Sequence, residues 1–275
     1  MRALSRAAAS DRSRAPLRTR TPAGEPATYR HLAHVVRAAL RLFTREEWDA
    51  AAQLPPAGHP VIVAANHVSY VDVVAVGRYL IWSGRWPRYL GKAELWKVFP
   101  IGWLGRRCRQ IPVERNSVRA KDALVHARAA LERGECIVIY PEGGRTHDPD
   151  LWPQQGRTGV ARLALATGAP VIPVGHWGTH RVMPGRTLTF PRPGQRIRIA
   201  MGDPVPLDDL AGRDEDAAAL REATTRIMDA VTTLVEQLRG ERRPGAVWDP
   251  RVGARVPRTA PPTAPSDVDS DADKG

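Results

Sequence analysis

Cysteine is scarce in this chain: two in 275 residues, Cys108 and Cys136. Two cysteines give neither a disulfide framework nor a metal-ligand spacing, and they fit a reducing, cytosolic setting. Cys136 lies in the apolar run "CIVIY" and reads as core. Cys108 lies among arginines in "RRCRQ", a setting that lowers a thiol pKa. Long hydrophobic runs are absent as well. No stretch reaches the roughly 18 consecutive apolar residues of a membrane span. The Arg-rich start lacks the apolar core of a signal peptide. A membrane, if one is involved, is touched and not crossed. Negative charge is also in short supply: 29 acidic residues against 41 basic ones, a net charge of +12. An anionic partner follows from that imbalance, whether nucleic acid, an acidic membrane or a phosphorylated substrate.

What is present is an alternation. Strand-like apolar runs fall at 61–65, 88–91, 110–113, 136–140 and 170–174. Helical patterns occupy 70–82, 117–133 and 157–167. This order predicts an α/β fold, a mostly parallel central sheet covered by helices. Residues 187–200, "TLTFPRPGQRIRIA", read as a hairpin turning at "PRPGQ". A last amphipathic helix is expected over 214–239. Residues 29–53 form one helical pattern, packed on the sheet or lying on a membrane surface. Composition divides the chain into a disordered basic arm (1–27), a folded domain (28–240) and a disordered Pro-rich tail (241–275).

Three strand ends carry polar clusters. Sites in open α/β sheets form beyond the carboxyl ends of strands, so convergence on one site is expected. The first cluster is "NHVSYVD" (66–72). Within a helix, residues five apart point about 140° away from each other. Contact between His67 and Asp72 therefore requires His67 to precede the helix. Ser69 then caps it, and Asp72 falls third in an S-x-x-D box. An imidazole held by a carboxylate is a general base for a hydroxyl; alternatively Asp72 only caps and His67 only packs. The second cluster ends a strand at Arg115, with Lys92, Arg106, Arg107 and Arg109 near in sequence. The third is "YPEGGRT" (140–146). Its glycines let backbone approach a ligand, and Arg145 offers a fork suited to phosphate or carboxylate.

No G-x-S-x-G elbow is present, and Ser69, Ser83 and Ser117 lack the setting of a nucleophile. A base without a nucleophile activates a hydroxyl of the substrate itself. His147 and His176 also follow strand ends, but no HExxH or CxxC spacing accompanies them, and no metal ligands are assigned. Trp82, Trp86, Trp96 and Trp103 crowd between the first two clusters, as core or at a membrane interface.

Taken in order, these blocks resemble the glycerolipid acyltransferases, the family that includes 1-acyl-sn-glycerol-3-phosphate acyltransferase. "NHVSYVD" is similar to its N-H-x-x-x-x-D block. "GKAELWKVFPIGWLGRRCRQIPVER" (91–115) resembles its second, "YPEGGRT" its third, usually E-G-T-R-S, and "APVIPVGHWGTH" (169–180) its fourth. The likeness covers residues 29–240. It implies a glycerolipid acyltransferase-like fold, and transfer of a fatty acyl group from acyl-CoA or acyl carrier protein to 1-acyl-glycerol-3-phosphate, giving phosphatidate. His67 would be the base and Asp72 its orienting partner. Substrate binding would fall to Asn66, Arg115, Glu142, Gly143, Gly144, Arg145 and Thr146, with Pro173 shaping the acyl-donor side. No cofactor is implied beyond the acyl donor. The expected partners are a lysophospholipid acceptor and the cytoplasmic face of a membrane, touched peripherally. Gly144 stands where the family has Thr, and Thr146 where it has Ser, so the acceptor is open: another lysophospholipid, or a glycolipid. A basic nucleic-acid-binding protein is the remote alternative, lacking any recognised module.

Overall fold

The run "VIVAA" forms the middle of the sheet because both of its faces are covered. The computed structural model describes residues 21–22, 24–49, 54–113, 120–184 and 190–258. Seven strands lie in one sheet: β1 (Thr44–Asp49), β2 (Val61–Ala65), β3 (Pro87–Lys92), β4 (Ile111–Val113), β5 (Cys136–Ile139), β6 (Val171–Trp177) and β7 (Gln195–Met201). Their order is β1-β7-β6-β2-β5-β3-β4. The five strands from β6 to β4 are parallel, and β7 runs antiparallel to β6. All five β2 side chains are fully buried. Ile62 and Ala64 face one layer, formed by α4 (Ala120–Glu132), α5 (Gly159–Thr167) and α6 (Ala217–Arg239). Val61, Val63 and Ala65 face the other, with α2 (Val71–Trp82) and Leu40 of α1 (Ala27–Phe43). A strand covered on both sides reads as a continuous apolar run, not an alternating one. The parallel sheet with helical cover is the expected fold class.

Three expectations are corrected. The helix over 29–53 stops at Phe43, and residues 44–49 become β1, paired in parallel with β7. Glu46 forms an ion pair with Arg78, Glu47 with Arg198, and Trp48 stacks on Tyr79 at 5.3 Å. Tertiary pairing overrides the helical propensity of "TREEWD"; residues 50–53 lie outside the described residues. The hairpin over 187–200 does not form around β7, because β1 and β6 occupy both of its edges. Residues 185–189 lie outside the described residues. The folded body also outruns residue 240. Strands β8 (Ala246–Asp249) and β9 (Ala254–Pro257) make an antiparallel hairpin turning at Gly253, φ 69°. Arg255 fastens it to Asp148 and Asp150, at 2.7 and 2.8 Å. At the other end, Glu25 pairs with Arg88, and Trp86 donates to the Pro22 carbonyl, so residues before 27 already dock. Residues 1–20 and 259–275 lie outside the described residues.

Cys108 and two of the tryptophans resolve as core. Trp82, Trp86 and Cys108 are buried in one cluster with Tyr29. Burial pushes the Cys108 thiol up to about 11, opposite to the shift its arginine neighbours in sequence suggest. Trp96 instead lines a cleft, and Trp103 is exposed.

Candidate active site

The corner after β2 is built mostly from backbone. Asn66 is buried and clips β2 to β6: its Oδ1 accepts from the His176 N–H at 2.9 Å, and its Nδ2 donates to the His176 carbonyl at 3.1 Å. His67 is held on both sides by "YPEGGRT". Its N–H donates to Glu142 Oε1 at 2.8 Å, and its carbonyl accepts from the Thr146 N–H at 2.8 Å. With its backbone fixed, the ring has few places to go. It stacks on Tyr140 with centroids 4.3 Å apart, and Nδ1 lies 2.8 Å from Asp72 Oδ2.

Asp72 does two jobs with one oxygen. Oδ2 also accepts from the N–H groups of Val68 and Ser69, at 2.6 and 2.8 Å. This is the backward half of the expected capping box. The pairing and the cap are thus both present. Beneath lies His176, fully buried, with Nε2 2.5 Å from the Asn66 carbonyl and 3.6 Å from Asp72 Oδ2. Burial would raise the Asp72 carboxyl, but His176 and His67 hold it below the ordinary value. A carboxylate only accepts, so Nδ1 of His67 donates to Asp72, and in the neutral ring Nε2 is left with the lone pair.

His67 opens into a cleft of about 1110 Å³. Its walls are largely apolar: Leu32 and Val36 from α1, Val74 and Ile81 from α2, Leu90 from β3, and Leu104 from α3 (Ile101–Arg107). Cations line the same cleft. Arg145 lines the cleft, lies 3.9 Å over the Tyr70 ring and donates to its hydroxyl at 3.1 Å. Arg157 and Lys92 line it too. Gly143 has φ 74°, and a Cβ there would lie 2.6 Å from Arg157 Nε. The left-handed φ favours glycine, and any side chain there would also push the Arg157 guanidinium aside.

The candidate residues divide. His67, Gly143, Gly144 and Arg145 face the cleft. Asp72 stands behind His67, as the pairing required. Asn66, Glu142 and Thr146, expected to bind substrate, are buried instead in the wall that holds His67. Glu142 uses Oε1 on His67 and Oε2 on the Gln154 N–H at 3.0 Å. Burial pushes its carboxyl up to about 8. Thr146 donates to the Trp152 carbonyl at 2.7 Å. Pro173 does not line the cleft; it packs against Gly202, whose N–H its carbonyl accepts at 3.0 Å. Arg115 lies outside the described residues. Sequence reasoning missed Arg157, fourteen positions from Gly143 in a stretch read only as a helix start. It also missed the Gln154 link. The basic residue preceding Thr158-Gly159 was the only available signal.

The acyltransferase family model matches residues 49–177, which contain this whole corner. The crystal structure of the 1-acyl-sn-glycerophosphate acyltransferase PlsC from Thermotoga maritima superposes with a TM-score of 0.60 at 25% identity, covering 78% of this chain and 80% of that one. Both matches support the glycerolipid acyltransferase family for this chain. Among curated members of this family, a chloroplastic 1-acyl-sn-glycerol-3-phosphate acyltransferase from Brassica napus is 27% identical over 143 residues, 52% of this chain and 40% of that protein. A lyso-ornithine lipid O-acyltransferase from Pseudomonas aeruginosa is 32% identical over 118 residues, 42% of each. The chain thus spans less than half the length of these two relatives. Among the described residues, no helix is long and apolar enough to cross a membrane.

Proposed function

We propose that this protein transfers a fatty acyl group from acyl-CoA or acyl carrier protein to the hydroxyl of 1-acyl-glycerol-3-phosphate, giving phosphatidate. The observation that carries this reading is the 2.8 Å His67–Asp72 pair in the wall of an apolar cleft that Arg145 and Arg157 also line. Nε2 of His67 takes the acceptor hydroxyl proton as the oxygen attacks the thioester carbonyl carbon. The C–S bond then breaks, and the departing thiolate takes that proton back from the imidazolium. Asp72 orients the ring and stabilises its charged form. The apolar walls suit an acyl chain, and the cations suit the phosphate of the acceptor. No cofactor is needed, since the thioester is itself a substrate. The protein works peripherally, at the cytoplasmic face of a membrane where its acceptor resides.

The substrate-binding set is revised from the sequence reading. Arg145, Arg157 and the Gly143–Gly144 backbone contact the acceptor, while Asn66, Glu142 and Thr146 position His67. A second reading keeps the chemistry and changes the acceptor to another lysolipid. The similarity to a lyso-ornithine lipid O-acyltransferase favours it.

The test is a purified-protein assay with labelled acyl-CoA and acyl carrier protein against a panel of lysolipids. Transfer is expected to be fastest to the 1-acyl-glycerol-3-phosphate hydroxyl. Replacing His67 by Ala should lower the rate by roughly 10²–10⁴ with the fold intact by circular dichroism. Full activity in that variant would refute the base assignment.

A further inference from the structure

We propose that the exposed apolar edge formed by Val98, Phe99 and Trp103 is the face that seats the protein on an anionic lipid bilayer, with the mouth of the cleft turned toward the lipid. This rests on the lipid-acceptor reading above and adds the surface and the lipid class. Phe99 is 83% exposed, Val98 50% and Trp103 42%. Leu95 and Ile101 are also exposed, and both line the cleft. Leu95 and Ile101 thus link the apolar outer edge to the cleft. A patch of large exposed side chains that continues into a cleft marks an interaction surface.

Charge decides the occupant. Residues 92–109 hold five basic side chains and one acidic one, Glu94; Lys92 pairs with Glu94 and Arg109 with Glu135, which leaves Lys97, Arg106 and Arg107 as the surplus charge of this edge. Arg107 lies 5.6 Å over the Trp103 ring, so the cation and indole project together. Indole and phenyl groups settle at headgroup depth while neighbouring Lys and Arg meet lipid phosphates. A second copy of this chain would present the same positive edge and repel it. An anionic bilayer satisfies both the apolar and the basic side chains.

The full chain is sedimented with vesicles of phosphatidylcholine alone, and of phosphatidylcholine mixed with phosphatidylglycerol. Binding is expected only with the anionic lipid. The F99S/W103S variant should bind at least about tenfold more weakly. Its melting temperature and its rate on a water-soluble short-chain lysolipid should not change. Vesicle binding requires no turnover, so failure of the docking surface and failure of the acyl-transfer reading are separate results. Equal binding by parent and variant, indifference to anionic lipid, or a shift in oligomeric state on substitution with vesicle binding unchanged would overturn the proposal. A second measurement does not depend on that variant. Brominated acyl chains should quench the parent's fluorescence, and Trp103→Tyr should remove a large part of the quench. An unquenched parent also overturns it.

Discussion

Glu142 does its work through a main-chain amide. Its carboxyl spans two loops, accepting from the His67 and Gln154 N–H groups, and it is almost fully buried. Burial raises the carboxyl from 4.5 to about 8. The folded state thus holds this proton more tightly than the unfolded one. The resulting stabilisation is fully present below pH 4.5 and is lost as pH rises through about 8. Glu142→Gln should flatten that part of a melting-temperature profile taken by calorimetry. The amide would also set an N–H against a backbone N–H, at a cost of about 1–3 kcal/mol. A lower acyl-transfer rate should accompany it, because the His67 loop relaxes. The sequence made Glu142 legible as important but not its role: charge and spacing cannot tell a carboxylate aimed at a ligand from one aimed at an amide.

The clearest surprise among the elements is the β8–β9 hairpin. Its strands read only as part of a Pro-rich tail. Yet Arg255 pairs with Asp148 and Asp150, and the Trp248 carbonyl accepts from the Gln155 N–H at 2.9 Å. The hairpin therefore clamps the 146–155 loop whose Gln154 holds Glu142. Asp148 is 1% exposed at its side chain and Arg255 28%. Arg255→Ala in the full chain should cost about 1–3 kcal/mol, less than a fully buried pair because Arg255 is partly solvated. Denaturant unfolding measures that loss. Unchanged stability would mean the clamp contributes nothing. The turn "DPRVG" between two short apolar runs was a readable signal, outweighed by the proline content around it. The end of α1 was not readable locally. "TREEWD" becomes a strand because β7 offers an edge and Arg78 and Arg198 offer partners, all distant in sequence.

Across the molecule, the excess of twelve positive charges has a local expression in the cations of the cleft and its outer edge. Many other arginines are occupied in ion pairs, as with Arg88 between Glu25 and Glu135. Cleft cations that act through solvent are screened over about 10 Å at 0.1 M salt. The apparent KM for a monomeric anionic lysolipid should therefore rise several-fold between about 50 and 500 mM salt, with kcat little changed. Steady-state assays at graded salt check this. A KM independent of salt would remove the cations from acceptor binding.

The amino-acid order alone determined the parallel α/β sheet, the corner at 66–72 and the backbone path that lets His67 reach Asp72. These depend on local periodicity and on a spacing that only one backbone path satisfies. Which polar residues face the cleft and which brace its wall was decided by tertiary structure. So were the arrival of Arg157 over Gly143, the burial of Cys108 and the anchoring of the hairpin. Each of these depends on what a distant segment places beside the residue, and the desolvation and hydrogen bonding that assign a polar group its role exist only once the segments have packed.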